Sequence, residues 1–294
     1  MKNSIQLRSE SRNVLSVYID DVKLGWEQWV LLSSDEHHDN IHCDHALEKK
    51  HLDEALKRDA LIVKYGDLFC AMQGKWDKRA DESQMRPELR GANYLDRLVN
   101  YNADFYKPYA KNFALVAPGN HEGSILKHHQ TNLTERFVQI LNTMRPVDNP
   151  IYIGGFSGWM RFMFTVHGTQ RLSKRLYYHH GYGGDAPVTK GTIQTNRMSV
   201  YLPDADIVCT GHTHNEWIFP IERLRLSNSG VIYKDTQLHI KTPGYKDEFA
   251  DGSEGWHIER GGPPKPTGAV WLRFYYGESE ASTGKVKVQA IMAD

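Results

Sequence analysis

Five short clusters along the chain contain the residue types that bind metal ions in proteins. They are Asp35-Glu36-His37, Gly66-Asp67, Gly119-Asn120-His121-Glu122, His179-His180-Gly181 and Gly211-His212-Thr213-His214. Carboxylate, amide and imidazole groups together suit Mn, Fe, Zn or Ni better than Ca, which prefers sites made only of oxygen atoms. The clusters therefore predict a site that binds transition-metal ions.

Two of the clusters place a pair of ligand types two residues apart. On extended backbone, side chains i and i+2 project from the same side. Asp35 with His37, and His212 with His214, can therefore each direct two groups at one place. A glycine borders every cluster except the first, which permits a sharp turn or a close approach of backbone to an ion or a phosphate.

The clusters follow apolar segments that predict strands, and helical segments lie between them. The predicted strands cover residues 26–34, 61–65, the start of 112–122, two stretches within 161–181, and 205–214. Helical spacing of apolar residues occurs at 45–60, 90–111 and 132–144, the last with an asparagine at its start. Open α/β folds place functional residues just past the carboxyl ends of their strands, as this pattern does.

The C-terminal third is predicted to be rich in β-structure. Residues 231–242 predict a strand, the Gly/Pro-rich stretch 261–268 a loop, and residues 269–293 a hairpin. Trp271, Phe274, Tyr275 and Tyr276 of this hairpin look exposed in the sequence pattern. The whole chain, residues 1–294, is predicted to be one α/β domain with the hairpin packed on it.

The composition is that of an ordinary globular protein. Of the 294 residues, 40% are hydrophobic, and 36 basic side chains balance 36 acidic ones. This balance gives no support to a strongly basic nucleic-acid binder. Fifteen histidines are many, whereas the three cysteines form no CxxC pair. The polar N-terminus and the lack of a long apolar run predict a cytoplasmic protein without a membrane partner.

Read in order, the clusters resemble the calcineurin-like metallophosphoesterase superfamily. Its pattern runs D-x-H, G-D, G-N-H-[DE], a single His, and G-H-x-H, and the sequence matches every part between residues 35 and 214. The resemblance implies a four-layer αββα sandwich with mixed sheets. It also implies that two metal ions share Asp67. One ion would be bound by Asp35, His37, Asp67 and His214, and the other by Asp67, Asn120, His180 and His212.

The resemblance also implies the chemistry. Two cations roughly 3.5–4 Å apart lower the pKa of a water between them and hold the phosphate oxygens during in-line attack on phosphorus. We expect Mn, with Fe, Zn or Ni as alternatives. Besides Asp67, His121 is the predicted catalytic residue. It has no metal to bind in the pattern and suits the stabilisation of the transition state or protonation of the leaving oxygen.

One ligand position has two candidates. His167-Gly168 and His180-Gly181 both place a His-Gly pair after an apolar strand. We favour His180, because a glycine-rich segment that suits backbone near phosphate follows it, whereas His167 begins a polar turn. Strand alternation predicts that the neighbouring His179 points away.

Several residues near the clusters have less certain roles. Glu36 and Glu122 are predicted to lie at the surface or to support the ligands. Most of six further residues near the clusters are expected to be solvated, with one or two orienting ligand histidines: His38, Asp39, His42, His45, His128 and His129. Cys70 and Cys209 are predicted to be small core residues. Four cationic residues are candidate contacts to substrate phosphate: Lys75, Arg79, Lys190 and Arg197.

The favoured function is a phosphodiesterase or nuclease that acts on nucleotides, DNA or RNA. The stretches GDLFCAMQGK, GNHEGSILK, HGYGG and TNRMSVYLPDADIV look like uncharacterised members of the superfamily found in bacteriophages and prophages. In such a setting, aromatic residues of the segment 73–110 could stack on bases, unless they belong to the core. These are Trp76, Tyr94, Tyr101, Phe105 and Tyr106.

Two other functions remain open. One is a phosphomonoesterase, including a phosphoprotein phosphatase, which Gly-Asn-His-Glu slightly favours. However, those phosphatases continue G-D-x-x-D-R-G, and Cys70 stands where their second aspartate pairs with the catalytic histidine. The remote alternative is a non-catalytic metal-binding interaction module. The oligomeric state does not follow from the sequence.

Overall fold

Two mixed β-sheets form the centre of the protein. The structure is a computed structural model and describes residues 5–71, 81–184, 186, 188–250, 255–277 and 285–293. The seven-stranded first sheet has the spatial order β1 (Ile5–Ser11), β2 (Val14–Val22), β7 (Ser157–Val166), β8 (Gln170–His179), β9 (Ile207–Thr210), β11 (Ile232–Lys241) and β10 (Trp217–Leu226). The six-stranded second sheet has the order β13 (Val286–Ala293), β12 (Ala269–Tyr276), β3 (Trp26–Ser33), β4 (Leu61–Tyr65), β5 (Phe113–Ala117) and β6 (Tyr152–Ile153).

The helices lie between these strands in sequence. The α-helices are α1 (His45–Arg58), α2 (Tyr94–Tyr106), α3 (Asn120–His129), α4 (Leu133–Asn142), α5 (Thr192–Tyr201) and α6 (Trp256–Glu259). Short 3-10 helices cover Glu82–Gln84, Pro87–Leu89 and Lys107–Asn112. Side-chain caps start two of the α-helices. Asp44 accepts the amide of Leu47 at 2.9 Å, and Asn132 accepts that of Glu135 at 3.1 Å, so α4 begins at the predicted asparagine.

The buried side chains separate into layers that confirm the predicted αββα sandwich. One cluster fills the space between the two sheets and includes Val63, Phe162 and Phe274. A second cluster joins the outer face of the second sheet to α1, α2 and α4. A small third cluster places Met198 of α5 against Val208 on the outer face of the first sheet. The outer helical layer on that side therefore consists mainly of one helix.

Parallel pairing brings the predicted strand ends together. In the second sheet β3, β4 and β5 run parallel to one another, and in the first sheet β8 runs parallel to β9. The carboxyl ends of parallel strands meet at the same edge of a sheet. All five predicted ligand clusters follow one of these strands, which positions them for a shared site.

The structure decides two open questions about aromatic residues in favour of the core. Tyr94 and Tyr106 are buried in the core beneath the second sheet, and Tyr101 and Phe105 pack against that core, so they do not form a stacking surface. Trp76 lies outside the described residues. In the final hairpin Trp271, Phe274 and Tyr276 are buried as well, because β12 pairs with β3 and extends the second sheet.

The described part of the chain contains no helix that is long and apolar enough to cross a membrane. The N-terminal β1–β2 hairpin, α5 and β10 are elements that the apolar patterns did not predict. None of them carries a predicted metal ligand.

Candidate metal centre

The ligand loops follow the strands directly and adopt strained backbone conformations. Asp35, His37, Asp67, His212 and His214 all have φ between 47° and 72°, a left-handed region that residues other than glycine rarely occupy. Backbone hydrogen bonds tie the loops to one another, including Asp35 N to Gly66 O at 2.9 Å. Such conformations cluster at functional sites, where the surrounding structure holds the backbone in place.

The first group of ligand atoms belongs to Asp35, His37 and His214. These atoms all lie within 4.8 Å of one another. The Nε2 atoms of His37 and His214 face each other at 3.3 Å, and His214 Nε2 lies 3.7 Å from Asp35 Oδ1. The two rings stack, with centroids 5.1 Å apart. Asp35 and His37 thus converge as their spacing predicted, whereas His212 and His214 belong to different groups.

The second group of ligand atoms belongs to Asp67, His180 and His212, and Asn120 lies beside it. His180 Nε2 is 3.1 Å from Asp67 Oδ2, 3.3 Å from His212 Nδ1 and 3.0 Å from Asn120 Oδ1. One ring nitrogen therefore has three polar neighbours, but a single N–H can donate a well-formed hydrogen bond to only one of them. The structure brings together all seven residues that the sequence predicted as metal ligands.

The arrangement fits divalent cations better than hydrogen bonding alone. Two histidine nitrogens face each other in the first group, and the buried Asp35 Oδ1 has no hydrogen-bond partner among the described residues. Leaving a buried carboxylate oxygen unpaired is unfavourable. A cation at each group would satisfy the unpaired oxygen and the facing nitrogens together, and the mixture of N and O donors suits Mn, Fe, Zn or Ni.

Burial keeps three of the histidines neutral. It lowers the pKa of His37 and His214 well below the ordinary value of 6.5, and that of His212 to about 4. Neighbouring histidines add to this effect. A neutral imidazole has the lone pair that a metal ion needs, so these rings are ready to bind an ion near neutral pH.

The carboxylates and His180 behave differently. Burial raises the pKa of Asp35 to about 7. Burial opposes ionisation of Asp67 as well, but His180 and His121 outweigh it and hold the pKa of Asp67 well below 3.8. Burial also disfavours a charged His180, yet Asp67 and Asp35 raise its pKa to about 9. Without metal, an ion pair between Asp67 and His180 forms at the centre of the site.

The metal-free protein is expected to lose stability as pH rises from 6.5 to 9. Burial and the neighbouring Asp67 raise the pKa of Glu122 to about 8. Glu122, like Asp35 and His180, therefore binds a proton more tightly in the folded state than in the unfolded state. In this window the folded state holds protons that the unfolded state has released, so the free energy of unfolding falls with pH. Urea unfolding in the presence of EDTA, at pH 6.5 and at pH 9, measures this free energy of unfolding.

The Glu122→Gln variant is the control for this pH dependence. It removes one of the three titrating groups, so its free energy of unfolding should fall less between pH 6.5 and 9. Bound metal should reverse the trend, because the ions replace the protons. An unchanged or increased stability of the metal-free protein at pH 9 would contradict the assignment.

Glu122 supports the loop of Asp67. Its carboxylate accepts backbone amides of Asp67 at 3.1 Å, Phe69 at 2.9 Å and Gly119 at 2.8 Å. The side chain is buried and belongs to neither group of ligand atoms. Of the two predicted positions for Glu122, at the surface or in support of the ligands, the second is therefore correct. The Glu122 side chain joins the loop after β4 to the start of α3.

Asp39 and His38 are buried, although most of the acidic and histidine residues near the clusters were expected to be solvated. Asp39 is buried and accepts the amides of Cys70 at 2.5 Å and Ala71 at 2.9 Å, together with the hydroxyl of Tyr94 at 2.7 Å. His38 is fully buried and stacks on His45. These side chains hold the loops after β3 and β4 against α2 rather than facing water.

A buried ionic cluster lies behind the first ligand loop. Lys64 Nζ donates to Glu36 Oε1 at 2.6 Å and Glu48 Oε1 at 2.9 Å, and Tyr106 also donates to Glu48. All four side chains are almost completely buried. The sequence analysis missed Lys64 and Glu48. The available signal was a lysine within LIVKY, since a charge in a buried strand requires a partner.

His121 is anchored at the edge of the ligand groups. Its Nδ1 lies 2.5 Å from the carbonyl oxygen of Cys70, which can only accept, so Nδ1 donates and Nε2 is directed into the site. Nε2 lies 3.7 Å from Asp67 Oδ2, and the ring packs edge-on against His37. The Cys70 thiol lies near both rings, but burial raises its pKa to about 12, so it remains protonated.

His180 and His167 occupy different parts of the β7–β8 hairpin. His180 follows the end of β8 and is fully buried at the ligand groups. His167 lies in the turn at the other end of these strands, where its ring packs against Tyr276. The structure thus places His180, and not His167, beside the other ligand types.

This placement leads to a paired prediction. We expect the His180→Ala variant to lose bound metal, because it removes the nitrogen that lies nearest to Asp67 and Asn120. The His167→Ala variant, a matched histidine in the same hairpin, should retain metal. Metal content after gel filtration, measured by mass spectrometry, checks both. Loss of metal from the His167 variant alone would reverse the assignment.

Of the predicted phosphate contacts, the two described ones do not line the central cavity. Lys75 and Arg79 lie outside the described residues. Arg197 is exposed on α5 and Lys190 is exposed just before it, and neither is among the described residues that line the central cavity. That cavity has a volume of about 840 Å³ and opens directly onto His37, Asp67, Asn120, His121, His212 and His214.

Comparison with known proteins identifies a family. The model of the family described as calcineurin-like phosphoesterase matches residues 29–216, which include all seven predicted ligands. A search of curated proteins found no match.

Solved structures that resemble this chain do so at low identity. A conserved uncharacterized protein of Streptococcus pneumoniae, described as a predicted phosphoesterase, is 12% identical, with 91% of this chain and 90% of that chain covered and a TM-score of 0.31. Vps29 of Chaetomium thermophilum is 8% identical, with coverage of 90% and 96% and a TM-score of 0.35. GAP50, the anchor in the inner membrane complex of Plasmodium, is 11% identical, with coverage of 90% and 84% and a TM-score of 0.45.

Proposed function

Because this chain belongs to the calcineurin-like phosphoesterase family, whose members hydrolyse phosphoesters, we propose that it is a two-metal phosphodiesterase that acts on nucleotides or nucleic acid. The observation that carries the proposal is the pair of ligand groups at the strand ends, one around Asp35 and the other around Asp67. Each group combines carboxylate and imidazole donors within 4.8 Å. Such pairs of sites are typical of enzymes that displace an alcohol from phosphorus.

The seven residues divide between two ions. Asp35, His37 and His214 would hold one ion, and Asn120, His180 and His212 the other, with Asp67 shared between them. When bound, divalent ions supply an acidified water as nucleophile and polarise the phosphoryl oxygens. We propose Mn as the activating ion, with Fe, Zn or Ni as alternatives, because the donors are a mixture of nitrogen and oxygen.

His121 is proposed to protonate the leaving oxygen or to donate a hydrogen bond to a phosphoryl oxygen. The hydrogen bond from its Nδ1 to the Cys70 carbonyl fixes the ring and directs Nε2 towards Asp67 and the cavity. A ring held in this way does not have to be reoriented for proton transfer, which favours general acid catalysis.

The surroundings of His121 also favour a diester over a phosphoprotein substrate. In the pattern of protein phosphatases an aspartate holds the catalytic histidine, whereas here a backbone carbonyl does so. A neutral carbonyl stabilises an imidazolium less than a carboxylate does. The Glu122 side chain, which slightly favoured a monoesterase, binds backbone amides and does not reach the ligand groups, so it no longer distinguishes the two functions.

Hydrolysis assays with defined metals test the proposal. Protein stripped with EDTA should be inactive, and Mn²⁺ should restore hydrolysis of bis-p-nitrophenyl phosphate. We expect kcat/KM for this diester to exceed that for p-nitrophenyl phosphate by at least about tenfold, or roughly 1.4 kcal/mol of transition-state stabilisation. Single-stranded DNA, double-stranded DNA and RNA then serve as natural diesters.

Two outcomes would overturn this assignment. A preference for the monoester would identify a phosphomonoesterase. Complete inactivity on both esters with Mn, Fe, Zn and Ni, in protein that still binds metal, would favour the non-catalytic interaction module.

A further inference from the structure

The central cavity has a second wall that lies outside the part matched by the family model. The wall is formed by the connection between β11 and β12, which follows residue 216 in sequence. Four of its lining residues are basic or can be so: Lys246, His257, Arg260 and Lys265. Among the described residues that line the cavity, the carboxylates apart from the metal ligands are Asp81 and Glu259.

Three lysines surround the loop that carries His212 and His214. Lys265 Nζ donates to the carbonyl of Thr213 at 3.1 Å, and Lys241 Nζ donates to its hydroxyl at 2.7 Å. Lys246 lies close enough to His37 and His214 for its charge to help lower the pKa of both rings. Positive charge is thus concentrated directly beside the predicted metal ligands.

One buried carboxylate shapes this wall. Glu248 forms an ion pair with Lys246, and its Oε2 accepts the backbone amide of His257 at 2.6 Å and lies 3.1 Å from His257 Nδ1. The His257 ring packs edge-on near the His214 ring, with centroids 5.6 Å apart. Lys246 and His257 are therefore held in fixed positions between the wall and the metal centre.

Charge and size together indicate what this wall binds. Lys246, Lys265, His257 and Arg260 line the same cavity as the metal ligands, so four groups that can carry positive charge lie beside the reacting centre. Such groups attract anionic ligands. The cavity of about 840 Å³ is also as large as pockets that enclose whole small ligands, so the substrate extends beyond its reacting phosphate.

We propose that Lys246, His257, Arg260 and Lys265 form a subsite for a second phosphate of the substrate, next to the phosphate that is hydrolysed. This inference rests on the proposed function. Ammonium and guanidinium groups are the preferred protein partners of phosphate. The second phosphate could come from a free nucleotide that carries one or from the next position of a nucleic-acid strand.

Two chromogenic esters that differ only in the second phosphate test the subsite. They are thymidine 5′-(p-nitrophenyl phosphate) and its 3′-phosphorylated derivative, and both release p-nitrophenol. The wild-type protein with Mn²⁺ should have the higher kcat/KM for the derivative. The ratio of kcat/KM for the derivative to kcat/KM for the parent ester should fall at least about tenfold in Lys265→Gln and Arg260→Gln. A change of this size is expected when a charged contact to phosphate is lost.

Matched variants separate charge from folding. Lys265→Arg should keep most of the preference, because it retains the charge. Lys234→Gln removes an exposed lysine of β11 that does not line the cavity, and it should leave the ratio unchanged. Arg260 is exposed at the surface, so its variant should fold even if Lys265→Gln does not. If kcat/KM falls equally for both esters in the two glutamine variants, the subsite proposal is overturned.

Ligand binding distinguishes failure of the subsite from failure of the proposed hydrolase function. In metal-loaded protein, calorimetry should show tighter binding of pyrophosphate than of phosphate, and the difference should shrink in Arg260→Gln even if no ester is cleaved. Thymidine 3′,5′-bisphosphate and a short oligothymidylate are then compared. Tighter binding of the first would indicate a free nucleotide as the source of the second phosphate, and tighter binding of the second would indicate a nucleic-acid strand. If neither binds and pyrophosphate has no advantage, the subsite does not exist.

Discussion

The Asp67→Asn variant is expected to lose bound metal and, with it, almost all turnover. Asp67 is buried, and its Oδ2 lies 3.1 Å from His180 Nε2 and 3.7 Å from His121 Nε2, so it adjoins both the ligand groups and the proposed acid. Asparagine keeps the shape but removes the charge that offsets the ions. We expect kcat to fall by more than about 100-fold, since loss of a mere supporting partner already lowers metal affinity or activity about 10–100-fold.

Metal content and hydrolysis of bis-p-nitrophenyl phosphate, measured on the same preparation, check this result. Asp148→Asn is the matched control, because it makes the same change at an exposed position beyond α4. The control should keep both metal and activity. Full metal occupancy together with normal turnover in Asp67→Asn would remove Asp67 from the site.

The His121→Ala variant is expected to separate catalysis from metal binding. It should retain metal, because His121 Nδ1 is held by the Cys70 carbonyl and the ring belongs to neither the Asp35 group nor the Asp67 group. Turnover should fall by roughly 10²–10⁴-fold, the usual contribution of a positioned acid or base. The loss should appear in kcat with bis-p-nitrophenyl phosphate at saturating Mn²⁺.

His128→Ala provides the control for this variant. His128 lies on the same helix, α3, but its side chain is exposed. It should therefore match the wild-type protein in both metal content and rate. If His121→Ala instead loses metal, His121 belongs among the ligands, and another group must protonate the leaving oxygen.

Much of the fold follows from local patterns in the sequence. The strands that precede the ligands are short apolar runs. β4 ends at its predicted limit, and β3 and β9 end one and four residues before theirs. Asn132 caps α4 as predicted because its side chain satisfies a free amide at the helix start. Signals of this kind depend only on neighbouring residues, which is why they can be recognised without the structure.

Other elements could not be recognised in this way. Strand β10 has exposed residues on both faces at the edge of the first sheet, and its pairing with β11 rather than its own apolar pattern stabilises it. The aromatic residues of α2 and β12 looked available for ligands or partners, but α4 and β3 bury them. Burial by distant parts of the chain leaves no local signal.

The sequence by itself determined the family, the order of the ligand clusters and the chemistry of their donors, because these depend on residue types and short spacings. Only the tertiary structure decided which groups meet. It placed His180 at the ligand groups and His167 against Tyr276, and it revealed Lys64 between Glu36 and Glu48. It also brought the basic residues Lys246, His257, Arg260 and Lys265 to the cavity of the metal ligands. Such contacts join residues far apart in the chain, and their distances are set by the packing of the two sheets.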